Sequence, residues 1–146
     1  MSLEKWVEYG WLKAEPTSSD EIKALLTIVD RDRKDANVDA ISEDRRFEVA
    51  FNAVRTAANV ALRACGYRTS TQGWHHVRTI ESLEFTIQAD SKLIHKMKAF
   101  SKKRNATSYD SAGNVSELES VIKAAAELQG DVIEWLQKKH PELLKK

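Results

Sequence analysis

A single cysteine, Cys65, rules out a disulfide within the chain and points to a reducing compartment. It falls on an apolar helical stripe, so a small buried hydrophobe is expected there, not a nucleophile. Only two prolines and five glycines occur in 146 residues, so long uninterrupted elements are expected. No apolar run approaches the roughly 18 residues of a membrane span, and no membrane partner is expected. The opening residues, MSLEKWVEYGW, mix acids with apolar side chains, which does not suit a signal peptide. The chain is therefore expected in the cytoplasm. An excess of either charge is lacking as well. A formal net charge of +1 excludes a generally basic coat for nucleic acid and confines any such contact to a local patch.

What is present is an ordinary globular composition, 42% hydrophobic and 31% charged, in a chain long enough for one core. Residues 3–13 read as a short aromatic helix with Trp6, Val7, Tyr9 and Trp11, suited to docking on the bundle or on a partner subunit. Pro16 stops it. Ser18 and Glu21 then form a capping box that opens a second helix. Ile22, Leu25, Leu26 and Val29 give that helix one apolar face. The charge run from Asp30 to Asp35 reads as its solvated end.

Ser42 is the next N-cap, with Glu43 and Asp44 suited to the positive end of the helix dipole. The helix it opens runs to about Ala64 and is expected to be central. Phe47, Phe51, Val54, Ala58, Ala61 and Cys65 make one stripe, and Val49, Ala53, Ala57, Val60 and Ala64 a second. So much alanine lets neighbouring helices come close. Glu48, Asn52, Arg55, Asn59 and Arg63 fall on the remaining line. That line reads as an exposed polar face; the alternative is that Asn52 or Glu48 partners something on another helix.

Gly66 ends this helix in a left-handed conformation. Residues 66–73 read as a connector. Trp74, Val77, Ile80, Leu83 and Ile87 mark a further helix, with His75 and His76 at its start. Adjacent histidines on a helix diverge, and no Cys or Asp stands beside them at metal spacing. They read as exposed first-turn residues, with phosphate contact as the alternative. No metal and no cofactor is expected.

Between Asp90 and Asp110 there is no acid. Six basic residues (Lys92, Lys96, Lys98, Lys102, Lys103 and Arg104) share the stretch with Leu93, Ile94, Met97 and Phe100 at one-face spacing. Positions eleven apart on a helix differ by only about 20°. Arg104 is eleven residues after Leu93, and Asn105 eleven after Ile94. If the helix continues that far, both extend the apolar stripe. An Arg so placed needs a carboxylate, a phosphate or several carbonyls; the alternative is a snorkelling Arg with its head in water. Asp110, Gly113 and Asn114 break the period. Ser116 and Glu119 form a second capping box, which opens a last helix with Leu118, Val121, Ile122, Ala125, Leu128, Val132, Trp135 and Leu136 on one face. Pro141 stops it.

No stretch alternates with period two. The fold class is therefore all-α: an up-and-down four-helix bundle with one or two additional N-terminal helices. Residues 1–38 are expected to be a helical extension, 39–141 the bundle and 142–146 a loose basic tail, together one structural domain.

Taken in order, several features resemble the HEPN (higher eukaryotes and prokaryotes nucleotide-binding) superfamily, in particular its small prokaryotic single-domain members. They are the Ala-rich helix with Asn52, the corner Gly66-Tyr67-Arg68, Gly73 shortly before His75, the basic helix ending Lys102-Lys103-Arg104-Asn105-Ala-Thr-Ser-Tyr109, and the last amphipathic helix. The resemblance covers about residues 42–140. It implies a HEPN-like bundle, a homodimer, and for many members metal-independent ribonuclease activity in toxin–antitoxin or defence systems, often beside a nucleotidyltransferase partner. Their motif is an Arg, usually followed by a polar residue, and a His separated from that Arg by four to six residues. Arg104 and Asn105 match the first two positions, and Tyr109 stands where the His is expected.

That departure bears on chemistry. Metal-free RNA cleavage needs a proton-transfer group and a cation for the phosphorane charge. An unperturbed tyrosine, near pKa 10, is a poor base, though it can donate a proton or hydrogen bond. Arg104 with Lys102 and Lys103 would supply the cation, with Arg68 and His75 as further phosphate contacts. The resemblance thus implies an RNA- or nucleotide-phosphate-binding protein centred on Arg104, with weak or no cleavage. The alternative is a ribonuclease using Arg104, Asn105 and Tyr109, with both subunits contributing. A plain structural bundle with a solvated basic face is the third reading. In toxin–antitoxin members a tyrosine two residues beyond the His can be nucleotide-modified; here that position is Ser111, so this regulation does not carry over to Tyr109.

Overall fold

A computed structural model describes residues 2–70, 75–107 and 115–144, with the side chains of 75, 103–107, 115 and 116 excepted. The all-α class holds. Helices α1 (Leu3–Glu8), α2 (Ser19–Ala36), α3 (Glu43–Ala64), α4 (His75–Glu81), α5 (Ser91–Thr107) and α6 (Val115–Lys139) account for most of the described chain.

The local signals act where expected. Ser18 Oγ accepts the Glu21 N–H at 3.2 Å and opens α2. Ser42 Oγ accepts the Arg45 N–H at 3.4 Å and opens α3. Asp90 Oδ1 accepts the Lys92 N–H at 2.8 Å, just ahead of α5. Gly66, with φ +88°, turns the chain after α3, and its N–H closes onto the Arg63 carbonyl at 2.8 Å.

Helix α3 is the axis of the molecule. It packs most extensively on α2 and α6, and also meets α4 and α5. Phe47, Phe51, Val54 and the alanines at 50, 53, 57, 58 and 61 are buried. Around them lie Ile22 and Val29 from α2, Met97 and Phe100 from α5, and Val121, Leu128, Val132 and Leu136 from α6. Alanine on both stripes of α3 is what lets neighbours approach from several sides. Polar contacts fasten α2 to α6: Arg33 donates to Gln129 Oε1, and Gln129 Nε2 donates to Asp30 Oδ1 at 2.6 Å.

Four expectations are corrected. The N-terminal helix stops at Glu8, because Gly10 (φ +79°) turns the chain into a strand, β1 (Leu12–Ala14). That strand pairs antiparallel with β2 (Tyr67–Thr69), Leu12 opposite Thr69, within what reads as a connector. Helix α4 does not run on to Ile87: a 3₁₀ turn, Ser82–Glu84, and a left-handed Gln88 (φ +58°) turn the chain toward α5. Ser116 stands inside α6, which is helical from Val115, and not at its cap. The residues expected to break α5, Asp110, Gly113 and Asn114, lie outside the described residues, as does Trp74.

The aromatic N-terminus docks on its own bundle. Trp6 is buried and meets Trp11 and Phe85 edge-on at 5.6 and 5.3 Å, while the Arg78 guanidinium lies 3.4 Å over the Trp11 ring. At the other end, Pro141–Leu144 form a 3₁₀ turn with Leu143 buried, so the chain stays packed through that turn. Among the described residues no helix is long and apolar enough to cross a membrane.

Candidate functional site

Helix α5 remains helical through Thr107, so the condition set by the sequence is met: Arg104 and Asn105 stand on the same continuous helix as Leu93 and Ile94. Those two are partly buried against the main core, and Met97 and Phe100 are buried in it. The Phe100 ring meets Phe47 edge-on at 6.2 Å, which puts the last turns of α5 beside the first turns of α3. Lys102 is exposed there. The side chains of Lys103, Arg104, Asn105 and His75, and all of Tyr109, lie outside the described residues.

Lys102, Lys103, Arg104 and Asn105 therefore share one helical turn. Arg68 does not join them within one chain. It lies on β2, beyond the far end of α3, and pairs with Glu15 at 3.3 Å. From Phe47 to Ala64 the helix rises about 26 Å. His75 opens α4.

The polar line of α3 is not simply an exposed face. Asn52 Nδ2 donates to Asp32 Oδ2 on α2 at 2.5 Å, and Arg55 Nη2 donates to Asn52 Oδ1 at 2.6 Å. Arg31 reaches the other oxygen of Asp32 with Nε at 3.1 Å and Nη2 at 3.0 Å. Asp32 is only 4% exposed, so the charge run of α2 turns inward at this residue, while Asp30, Arg31, Lys34 and Asp35 are exposed as expected of a solvated end. Arg55 Nη1 lies 3.2 and 3.3 Å from the two ring nitrogens of His76. A nitrogen equidistant from both, and clear of the carbon between them, has to sit over the ring face. Arg31, Asp32, Asn52, Arg55 and His76 thus join α2, α3 and α4 in one polar seam.

The same line ends in a second node. Arg63, 6% exposed, donates from Nε to Glu21 Oε1 at 3.0 Å. Its Nη1 serves the carbonyls of Glu15 and Tyr67 at 3.1 and 3.0 Å, and its Nη2 that of Pro16 at 3.1 Å. Nη2 also lies 2.8 Å from Glu21 Oε1 and 3.3 Å from Glu15 Oε2. This satisfies a buried guanidinium nearly completely. Glu21 is held below the usual carboxylate range, first by the Thr17 hydroxyl and then, against the effect of burial, by Arg63.

Sequence reasoning missed the seam's anchor, although a signal existed. Asp32 follows Val29 by three residues and precedes Ala36 by four, which puts it on the buried stripe of α2. Its neighbours in the charge run hide that spacing. Among the described residues no group of three or more His, Cys, Asp or Glu could hold a metal ion. Compared with known proteins, the chain matches no family model, no curated protein and no solved structure.

Proposed function

We propose that this is a HEPN-like homodimeric helical protein that binds RNA or nucleotide phosphate through a patch centred on Arg104, with weak or no ribonuclease activity because Tyr109 replaces the motif histidine. The observation that carries the reading is the unbroken course of α5 through Arg104 and Asn105, in register with the core-facing Leu93 and Ile94. A guanidinium at that register needs an anion or several carbonyls, and phosphate supplies the first. Lys102 and Lys103 add charge on the same turn. The arrangement of α2, α5 and α6 around a central alanine-rich α3 supports a bundle of this kind.

The test is incubation of the purified protein with RNA in the absence of metal, beside Arg104→Ala and Tyr109→Phe. The reading expects binding that depends on Arg104 and falls with salt, with little cleavage. Cleavage lost in both variants turns the assignment to a ribonuclease of a toxin–antitoxin or defence system. Neither binding nor cleavage leaves a structural bundle. A monomer by light scattering at micromolar concentration counts against the homodimer.

A further inference from the structure

The polar seam opens onto a cleft of about 380 Å³ between α2, α3 and α4. Its size lies at the lower end of small-molecule sites. Helix α2 lines it with the apolar Leu25 and Ile28 and with Arg31; α3 and α4 bring Asn52, Arg55 and His76. No carboxylate lines it among the described residues.

The guanidiniums are set in place by one buried group. Asp32 holds Arg31 directly and Arg55 through Asn52, whose amide is thereby oriented: its nitrogen faces Asp32 and its oxygen faces Arg55. Asp32 itself is 4% exposed and belongs to the lining of the adjoining cleft, where Arg45 and Glu48 add one charge of each sign. Arg31 and Arg55 thus bring two positioned guanidiniums to a cleft whose described lining holds no carboxylate. Guanidiniums held in fixed orientation by a buried carboxylate and an oriented amide have the preorganisation that oxyanion recognition needs.

We propose that this cleft is an oxyanion site that takes the phosphate of a small phosphate monoester, with Arg31 and Arg55 as its cationic contacts, Asp32 and Asn52 as positioning residues, and Leu25 and Ile28 facing the rest of the ligand. The described lining of this cleft includes no residue of α5, so the proposal stands apart from the reading of Arg104.

The experiment is an NMR titration of the ¹⁵N-labelled full chain with inorganic phosphate and with adenosine 5′-monophosphate, against sodium chloride at matched ionic strength. Saturable shifts of the Arg31 and Arg55 side-chain signals and of His76 are expected with phosphate and not with chloride. Arg55→Gln weakens binding about tenfold. Arg31→Gln weakens it several-fold, and Lys123→Ala, at an exposed position on α6, leaves it unchanged. Tighter binding of the nucleotide than of inorganic phosphate supports the monoester; equal affinity restricts the site to the phosphate group. The proposal is overturned if no saturable shift appears, or if binding survives Arg31→Gln and Arg55→Gln intact. Loss only in Arg104→Ala also overturns it, while leaving the Arg104 reading standing.

Discussion

Arg63 Nη2 lies 2.8 Å from Glu21 Oε1, and this contact ties the last turn of α3 to the first turn of α2. Both strands' flanks pass through the same guanidinium, since it also holds the carbonyls of Glu15, Pro16 and Tyr67. Removing it takes the shared partner from three carbonyls and from two half-exposed carboxylates, Glu15 and Glu21. Arg63→Ala is expected to lower unfolding stability by about 2 kcal/mol, mainly from the carbonyls left unpaired. Arg63→Lys recovers little of that, because an ammonium cannot reproduce the planar fork. Urea unfolding of both variants checks this; a loss below about 1 kcal/mol in Arg63→Ala contradicts it.

Glu21 gives a pH signature to the same node. The Thr17 hydroxyl, 2.5 Å from Glu21 Oε1, and Arg63 hold its carboxyl below the ordinary value of 4.5, although burial opposes them. A depressed folded pKa means that the native state binds fewer protons than the unfolded chain. The stabilisation is therefore complete above pH 4.5 and is lost as pH falls through the lower folded value. Melting temperatures of the wild type and Glu21→Gln should differ at neutral pH and converge in acid. A gap that stays constant well below pH 4.5 contradicts the assignment.

How far the sequence was legible follows from how local each cause is. The caps at Ser18 and Ser42 and the left-handed Gly66 act within a few residues of themselves, so pattern alone finds them. The two strands have three residues each, too short to show a period-two pattern, and they pair across more than fifty positions. Arg63 reads as the end of a polar face because its partners at 15, 16 and 21 come from a segment far upstream. Asp32 is masked by the charges beside it. At the expected site, the helical register of Arg104 and Asn105 was legible because α5 is regular, whereas the pairing of Asn52 with Asp32 needed the packing of α2 on α3.

Cys65 tests how closed the small N-terminal core is. It packs against the cluster of Leu3, Trp6, Leu12 and Leu62, and burial, followed by the charge of Glu4, pushes its thiol up to about 11 from 9.0. At neutral to mildly alkaline pH its thiolate fraction is about a hundredfold below that of an ordinary thiol. Alkylation by iodoacetamide at about pH 8 should be correspondingly slow in the native protein and fast in denaturant. The raised folded pKa places its stabilising contribution below pH 9.0 and removes it as pH rises through about 11, so Cys65→Ser should flatten the alkaline loss of stability. Native labelling as fast as that of the unfolded chain sinks the argument.

Asp32 is the position where stability and the proposed oxyanion cleft meet. Its carboxylate is 4% exposed, with Arg31 on one oxygen and Asn52 on the other. Asp32→Ala leaves the Asn52 amide nitrogen without its acceptor and releases the oxygen side from its fixed orientation, so Arg55 loses its relay. A loss of about 2 kcal/mol is expected from the unmade buried hydrogen bonds. Asn52→Ala costs less, because Asp32 keeps Arg31. In a double-mutant cycle the two changes should couple by about 1 kcal/mol, as members of one network do. Strict additivity would mean that the 2.5 Å contact between Asn52 and Asp32 does not hold α3 to α2.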